Sequence, residues 1–233
     1  MHPFTMPEEI VARVTKRSGR PHPFDMLHAE RTALLVVDMQ NYFMKPGYPG
    51  EAPMARKIVA GVNQLAAALR RMGGIVIWIK NSTQDARESW SVFNRDLLTP
   101  ERQKARQEAL SEDHEGHELW PMLDVKSEDA QIVKTRFSAF IPGSSDLAAY
   151  LRVRSIDTVL VAGTATNICC ESTARDAMML NLRTVMVSDA LAAYSDAEHA
   201  AALMNFYAAF GDVQTIDETI ASLARGSRRW AAA

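Results

Sequence analysis

The only two cysteines of this 233-residue chain, Cys169 and Cys170, are adjacent and follow the apolar run "VLVAG". The run predicts a buried strand, and "NICCESTARDAMMLN" after it predicts a helix. A thiol at a helix N-terminus is a candidate nucleophile, because the unpaired N–H groups and the helix dipole stabilise a thiolate. Neighbouring cysteines strain a disulfide, so the pair does not predict a structural bridge.

Two other predicted strands also end in residues that could do chemistry. Asp38 follows "LLVV" and Lys134 follows "QIV". Taken singly, each has a structural interpretation: a turn cap for Asp38, a solvated charge for Lys134, and a small buried hydrophobe for Cys169. Parallel strands place ligands beyond their carboxyl ends, so all three are expected at one edge of a sheet. An aspartate there can take the thiol proton and later give it to a leaving amine. The trio predicts amide hydrolysis through a thioester.

The elements that must position these residues alternate between strand and helix. Apolar runs predict strands at "TALLVVDMQ", "IVIWIKN", "AQIVK", "DTVLVAG", "RTVMVSDA" and "DVQTI". Segments of helical periodicity lie between most of them, which is typical of an α/β fold with crossover helices. We predict a three-layer αβα sandwich with a six-stranded, mainly parallel sheet. No G-x-G-x-x-G or P-loop follows a strand, which argues against a nucleotide-binding domain.

We expect one domain over residues 31–225. Residues 1–30 contain four prolines and are predicted to form an N-terminal arm without a long element, and residues 226–233 a frayed tail. Residues 82–126 form a polar insert with a helix around "PERQKARQEALSE", either a lid or a subunit interface. His114 and His117 in this insert are expected to be surface residues.

Composition narrows the functional class. The chain is 47% hydrophobic and 23% charged, with a formal net charge of −2, so no overall field attracts it to nucleic acid or membranes. It has no apolar run of about 20 residues and no apolar segment typical of a secretory signal near its first residue. The expected location is the cytoplasm. The scattered histidines do not predict a structural zinc site.

Three segments, "ALLVVDMQNYF", "IVKTRFSAF" and "VLVAGTATNICCESTARDA", resemble in order the signature segments of the isochorismatase-like cysteine hydrolases. The resemblance covers residues 30–216. It implies that Asp38 is the general base, Lys134 stabilises the thiolate and Cys169 is the nucleophile. Cys170 is then a packing residue.

The same resemblance extends to the turn before the nucleophile. It implies a cis peptide bond between Thr164 and Ala165. It also implies an oxyanion hole formed by the backbone N–H groups of Ala165 and Cys169. Dimers and tetramers are common in this superfamily, so a homodimer or homotetramer is expected.

The chain departs from some members of the superfamily. Nicotinamidases carry metal-binding histidines where this chain reads "IVIWIKNSTQDARESW", so neither a metal nor another cofactor is expected. True isochorismatases cleave a vinyl ether and lack the cysteine, so Cys169 argues against that activity. "MQNYF", "IWIKN" and "GTATNICCEST" are most similar to the ureidoacrylate amidohydrolase, biuret hydrolase and N-carbamoylsarcosine amidase group. The expected substrate is a small linear amide or ureide, cleaved with release of ammonia or amine.

Other side chains near the strand ends are predicted to bind the substrate. The amides of Asn41 and Asn81 suit a ureide, which offers both donors and acceptors. Phe43 and Phe137 are candidates for the pocket wall, and Arg136 for pairing with a substrate carboxylate. For Trp78 the alternatives are the pocket wall or the core, and for Lys80 a substrate contact or a surface charge.

The sequence leaves three alternatives to this function. One is an amidase of another carboxamide, such as a maleamate-like or nicotinamide-like compound. Another is a non-catalytic binding protein with the same fold, and the third is a redox protein that uses the Cys169–Cys170 pair. Adjacent cysteines in a helix cannot bridge without unwinding it, which disfavours the third.

Overall fold

The protein is built on one sheet of six strands. The computed structural model describes residues 1–84 and 89–230. The strands are β1 Thr32–Val37, β2 Ile75–Asn81, β3 Ala130–Lys134, β4 Thr158–Thr164, β5 Arg183–Ala192 and β6 Asp212–Gln214. Their order across the sheet is β3-β2-β1-β4-β5-β6, and every neighbouring pair is parallel. This confirms the predicted α/β class and its parallel six-stranded sheet.

Helices connect the strands and cover the sheet. The α-helices in the described ranges are α1 Glu8–Ser18, α2 Asn41–Met44, α3 Val59–Arg71, α4 Ser91–Asp96, α5 Pro100–Ala109, α6 Leu147–Val153, α7 Glu171–Met179, α8 Asp196–Ala209 and α9 Ile216–Trp230. Short 3₁₀ turns cover Ala29–Arg31, Pro53–Ile58 and Glu115–His117, and a π-helical turn covers Thr166–Cys170.

The two faces of β1 show how the three layers form. Leu34 and Val36 point into a core shared with α3 and α9, while Leu35 and Val37 point into a second core shared with α6, α7 and α8. Because side chains alternate along a strand, a continuous apolar run fills both cores at once. The chain runs outward in opposite directions from β1 and β4, so the edge beyond these two strands is the topological switch point where ligands bind.

The first residues contain a helix, so the expectation of no long element before residue 31 is wrong. Pro7 lies immediately before the first residue of α1, where the missing N–H of proline costs nothing. The helix ends at Ser18, and the next residue, Gly19, has a φ of 79°, a conformation that glycine adopts most readily. Val14 is buried against the core on the α8 side.

The predicted tail begins inside a helix. Helix α9 continues to Trp230, so the predicted frayed tail is wrong as far as that residue. Gly226 of this helix lies against the Leu27 carbonyl, which a Cβ would overlap, and this contact fixes the helix on the first segment. Residues 85–88 of the predicted insert and residues 231–233 of the predicted tail lie outside the described residues.

The insert contains one buried histidine that we expected at the surface. His117 is almost fully buried beside Gln40, whose side-chain amide donates to the His117 carbonyl at 3.0 Å. Its 3₁₀ turn packs against α2, and this tertiary contact buries a polar segment. Among the described residues, no helix is long and apolar enough to cross a membrane.

Candidate active site

A buried ion pair lies at the switch point. Lys134 Nζ, at the end of β3, is 2.8 Å from Asp38 Oδ2, directly after β1, and both side chains are fully buried. Lys134 also donates to the Arg136 carbonyl at 3.1 Å. Asp38 has a φ of 54°, which is uncommon for a residue with a side chain and is concentrated at functional sites. Strand ends separated by 96 residues are thus joined at one point.

Cys169 reaches the same point from β4. The Thr164–Ala165 peptide bond is cis, as the resemblance implies, and the π-helical turn begins at the next residue. The Ala165 carbonyl accepts the N–H groups of Ile168 and Cys170, at 3.1 and 3.2 Å, on either side of Cys169. Cys169 is 5% exposed and interacts with both Asp38 and Lys134. Cys170 is fully buried in the core, and both cysteines are free thiols.

The three groups influence one another's protonation. Burial raises the pKa of Asp38, and the Lys134 charge offsets only part of the rise. Burial lowers the pKa of Lys134, but the charges of Asp38 and Cys169 outweigh it, so that pKa is raised. Burial and the Asp38 charge raise the pKa of Cys169 from 9.0 to about 12, although Lys134 opposes them. At neutral pH the site therefore holds a thiol, and attack requires a base.

Asp38 is placed to be that base. Its Oδ2 is used by Lys134, while Oδ1 is buried and accepts no hydrogen bond of ordinary geometry from the described residues. A carboxylate with a raised pKa is a stronger base toward a thiol than an exposed aspartate. The Lys134 ammonium stabilises the charge of whichever group, carboxylate or thiolate, is ionised.

A second buried cluster holds the turn that carries Cys169. The Thr166 hydroxyl and His199 Nδ1 share a hydrogen bond of 2.9 Å, and the His199 ring stacks on His2 with 4.7 Å between ring centroids. His2 Nδ1 is 2.5 Å from Asp196 Oδ1. Burial lowers the pKa of His199 to about 4, so this histidine is neutral at pH 7. The first residues of the chain thus help to position the nucleophile turn.

Cys169 opens into a cavity of about 190 Å³. Its walls are mainly aromatic and aliphatic: Tyr42, Phe43, Phe93, Leu98, Phe137, Ile168 and Tyr194. Phe43 and Phe137 lie where the sequence predicted them, and Ala165 lines the cavity beside Cys169. The charged side chains among these walls belong to Arg102 and Arg106. A cavity of this size and lining suits one small molecule.

Other predicted contacts lie elsewhere. Asn41 is the first residue of α2, and its side chain donates to the Glu115 carbonyl at 2.8 Å, outside the cavity. Arg136 donates to the Ser89 carbonyl at 2.7 Å and packs on the Trp90 ring. Asn81 is buried behind the cavity wall, where its Oδ1 accepts from Arg106 at 3.1 Å. These positions do not support the prediction that Asn41, Arg136 and Asn81 contact the substrate directly.

Trp78 belongs to the core. It is fully buried on the α3 side of the sheet, and its indole N–H donates to Asp129 at 2.8 Å. Lys80, on the same strand, is partly exposed and is not among the residues that line the cavity. Trp78 and Lys80 are two residues apart on β2 and therefore lie on the same face of the sheet, and neither lines the cavity.

The two arginines of the cavity wall are not predicted as site residues by the sequence pattern. Helix α5 was predicted, and Arg102 and Arg106 are four residues apart, a spacing that places both on one helix face. The spacing does not show that this face of α5 is turned toward the cavity. Phe93 and Leu98 come from the same insert and were missed for the same reason.

Comparison with known proteins decides the family. The family model described as the isochorismatase domain matches residues 32–218. The chain belongs to the isochorismatase family. This family member is a hydrolase. It is 32% identical over 220 residues to the ureidoacrylate amidohydrolase RutB of Variovorax paradoxus, covering 88% of this chain and 86% of the relative.

Solved structures agree with this hydrolase fold. A cysteine hydrolase from Pseudomonas syringae pv. phaseolicola matches with a TM-score of 0.73 and 26% identity, covering 86% of this chain and 95% of that one. N-carbamoylsarcosine amidase from Thermoplasma acidophilum matches with a TM-score of 0.63 and 27% identity, covering 80% and 97%. Within residues 1–84 and 89–230 of this hydrolase, no three His, Cys, Asp or Glu residues are grouped as metal ligands.

Proposed function

We propose that this hydrolase is a cysteine amidohydrolase that cleaves a carbon–nitrogen bond of a small linear amide or ureide. One observation carries the proposal: a thiol at the end of a small cavity interacts electrostatically with a buried ion pair of a carboxylate and an ammonium group. The similarity to a ureidoacrylate amidohydrolase and to an N-carbamoylsarcosine amidase supports it.

The proposed reaction begins with thiol activation. Asp38 takes the Cys169 proton as the sulfur attacks the substrate carbonyl, and a carbon–sulfur bond forms. The oxyanion is held by the backbone N–H groups of Ala165 and Cys169. The carbon–nitrogen bond then breaks, and Asp38 returns the proton to the departing nitrogen, which leaves as ammonia or amine.

Water completes the cycle. Asp38 takes a proton from a water molecule as the water oxygen attacks the thioester carbonyl. The carbon–sulfur bond then breaks, and Asp38 returns the proton to the sulfur. Lys134 stabilises the negative charge shared by Asp38 and Cys169 in both halves of the reaction. The proposal needs no metal, because nucleophile, base and oxyanion donors all belong to the chain. Assembly as a homodimer or homotetramer remains a prediction.

Ammonia release tests the proposal. Wild-type enzyme with chelator would be offered biuret, ureidoacrylate, N-carbamoylsarcosine, maleamate and nicotinamide, beside the variants Cys169→Ser and Cys170→Ser. We expect turnover of at least one amide that survives chelator and Cys170→Ser, and falls at least about 1000-fold in Cys169→Ser. Full activity of Cys169→Ser would refute the nucleophile, and loss of activity with chelator would refute a metal-independent reaction.

A further inference from the structure

The cavity wall contains a buried cation that the proposed reaction does not use. Arg106 on α5 is 8% exposed, although arginine is among the residues least often buried without a partner. Arg102, one helical turn earlier, is exposed and lines the same cavity. The two guanidinium groups therefore extend from the buried wall to the rim.

Neutral contacts fix the position of Arg106. Its Nη2 donates to Asn81 Oδ1 at 3.1 Å, and its guanidinium carbon lies 5.5 Å from the Phe93 ring centroid. Gln40 holds Asn81 in turn, because Gln40 Oε1 accepts the Asn81 N–H at 2.7 Å and Nε2 donates to the Asn81 carbonyl at 3.0 Å. The ends of β1 and β2 thus hold the guanidinium in place before any ligand arrives.

Among residues 1–84 and 89–230, Arg106 has no carboxylate in direct contact, and its charge acts on Asp38 from beyond ion-pair distance. Asp38 is paired with Lys134, and no carboxylate in the described parts of the chain forms an ion pair with Arg106 or Arg102. A buried charge without a counter-ion is costly, so an anion that enters the cavity is favoured there. A carboxylate matches the two N–H groups that guanidinium presents in one plane.

We propose that the substrate carries a carboxylate in addition to the amide that is cleaved, and that Arg106 binds this carboxylate with Arg102 at the rim. The inference rests on the proposed function for the reaction itself. Arg106 is then the residue that selects an anionic amide over a neutral one of the same shape. Asn81, predicted as a direct substrate contact, becomes a positioning residue for Arg106.

Matched acid and ester substrates test this selectivity. Ureidoacrylate and maleamate would each be compared with its uncharged methyl ester, which keeps the amide. We expect wild type to prefer the acids, and Arg106→Met to lower kcat/KM for the acids about 10- to 100-fold with little change for the esters. The control Lys104→Met removes an exposed cation from the same helix and should retain the wild-type preference.

Equal losses for acid and ester in Arg106→Met would show a structural role and overturn the inference, as would a wild type that accepts both equally. Should Arg106→Met fold poorly, Arg102→Met at the exposed rim should still lower the acid selectively. Calorimetry with Cys169→Ser separates the two proposals. Maleamate binding to Cys169→Ser, together with no turnover of any offered amide by the wild type, would refute the amidohydrolase but keep the anion site. Ester binding to Cys169→Ser as tight as acid binding would refute only the anion site.

Discussion

The raised pKa of Cys169 predicts a slow reaction with iodoacetamide in the resting enzyme. A rise from 9.0 to about 12 leaves about one thousandth of the ordinary thiolate fraction at neutral pH. A more basic thiolate is intrinsically more reactive, so its own rate constant for alkylation is about 15- to 30-fold higher. The net expectation is alkylation about 30- to 60-fold slower than for a thiol of ordinary pKa.

Asp38→Asn is the informative perturbation, because it should change alkylation and turnover in opposite directions. It removes the charge that raises the pKa of Cys169 and keeps the shape of the side chain. A charge within contact distance shifts a pKa by about 1–3 units, so alkylation should become about 3- to 30-fold faster. Turnover should fall at least about 100-fold, since the base is lost. Lys134→Met should slow alkylation, because Lys134 lowers this pKa.

The assay is mass-spectrometric alkylation kinetics in a Cys170→Ser background, which leaves one thiol. In the wild-type site the rate should keep rising about tenfold per pH unit beyond pH 9, where an ordinary thiol levels off. Cys169 is little exposed, which limits access of the reagent in every variant. The difference in alkylation rate between variants therefore reflects the change in charge. Slower alkylation in Asp38→Asn, or a wild-type rate that levels off near pH 7, would refute the reasoning.

Two further predictions concern stability, measured by urea unfolding. Gly163 has a φ of 111° and a Cβ there would overlap the Val37 carbonyl, so Gly163→Ala should cost about 2–5 kcal/mol. The control Gly47→Ala, with a φ of 94° and open space around it, should cost about 1–2 kcal/mol, and equal losses would contradict the steric argument. Lys134→Met should cost about 3–5 kcal/mol at neutral pH, because it strands the buried Asp38 carboxylate. Because Lys134 lowers the pKa of that carboxyl, removing Lys134 raises the folded-state pKa further. The loss should therefore shrink as the pH falls, where the carboxyl is protonated in both proteins, and grow as the pH rises. A loss independent of pH would argue against a stranded charge.

Much of the site followed from sequence because its main residues end strands. Asp38 and Lys134 terminate apolar runs, and the parallel fold places such ends at one sheet edge. The positions of Asn41 and Arg136 did not follow. A residue just past a strand end enters a loop, and there its side-chain direction depends on packing against a distant segment such as the Glu115 turn.

The insert shows the same limit more clearly. Its helix was predicted from residue pattern, yet the pattern did not reveal that Arg106 turns inward to Asn81 and the Phe93 ring. The first segment shows the same limit, because its prolines favour a break in sequence, although a proline directly before a helix, such as Pro7, is compatible with that helix.

The amino-acid pattern was sufficient to predict the fold class, the parallel sheet and the three residues that meet at its edge. These follow from the period of apolar residues and from chain topology, which are local or nearly local properties. Tertiary structure alone decided the protonation of Cys169 and the lining of the cavity. Burial and charge at a point depend on all the segments that surround it. Asp38 and Lys134 act on Cys169 from two separate parts of the chain, and Arg106 lines the same cavity from a third.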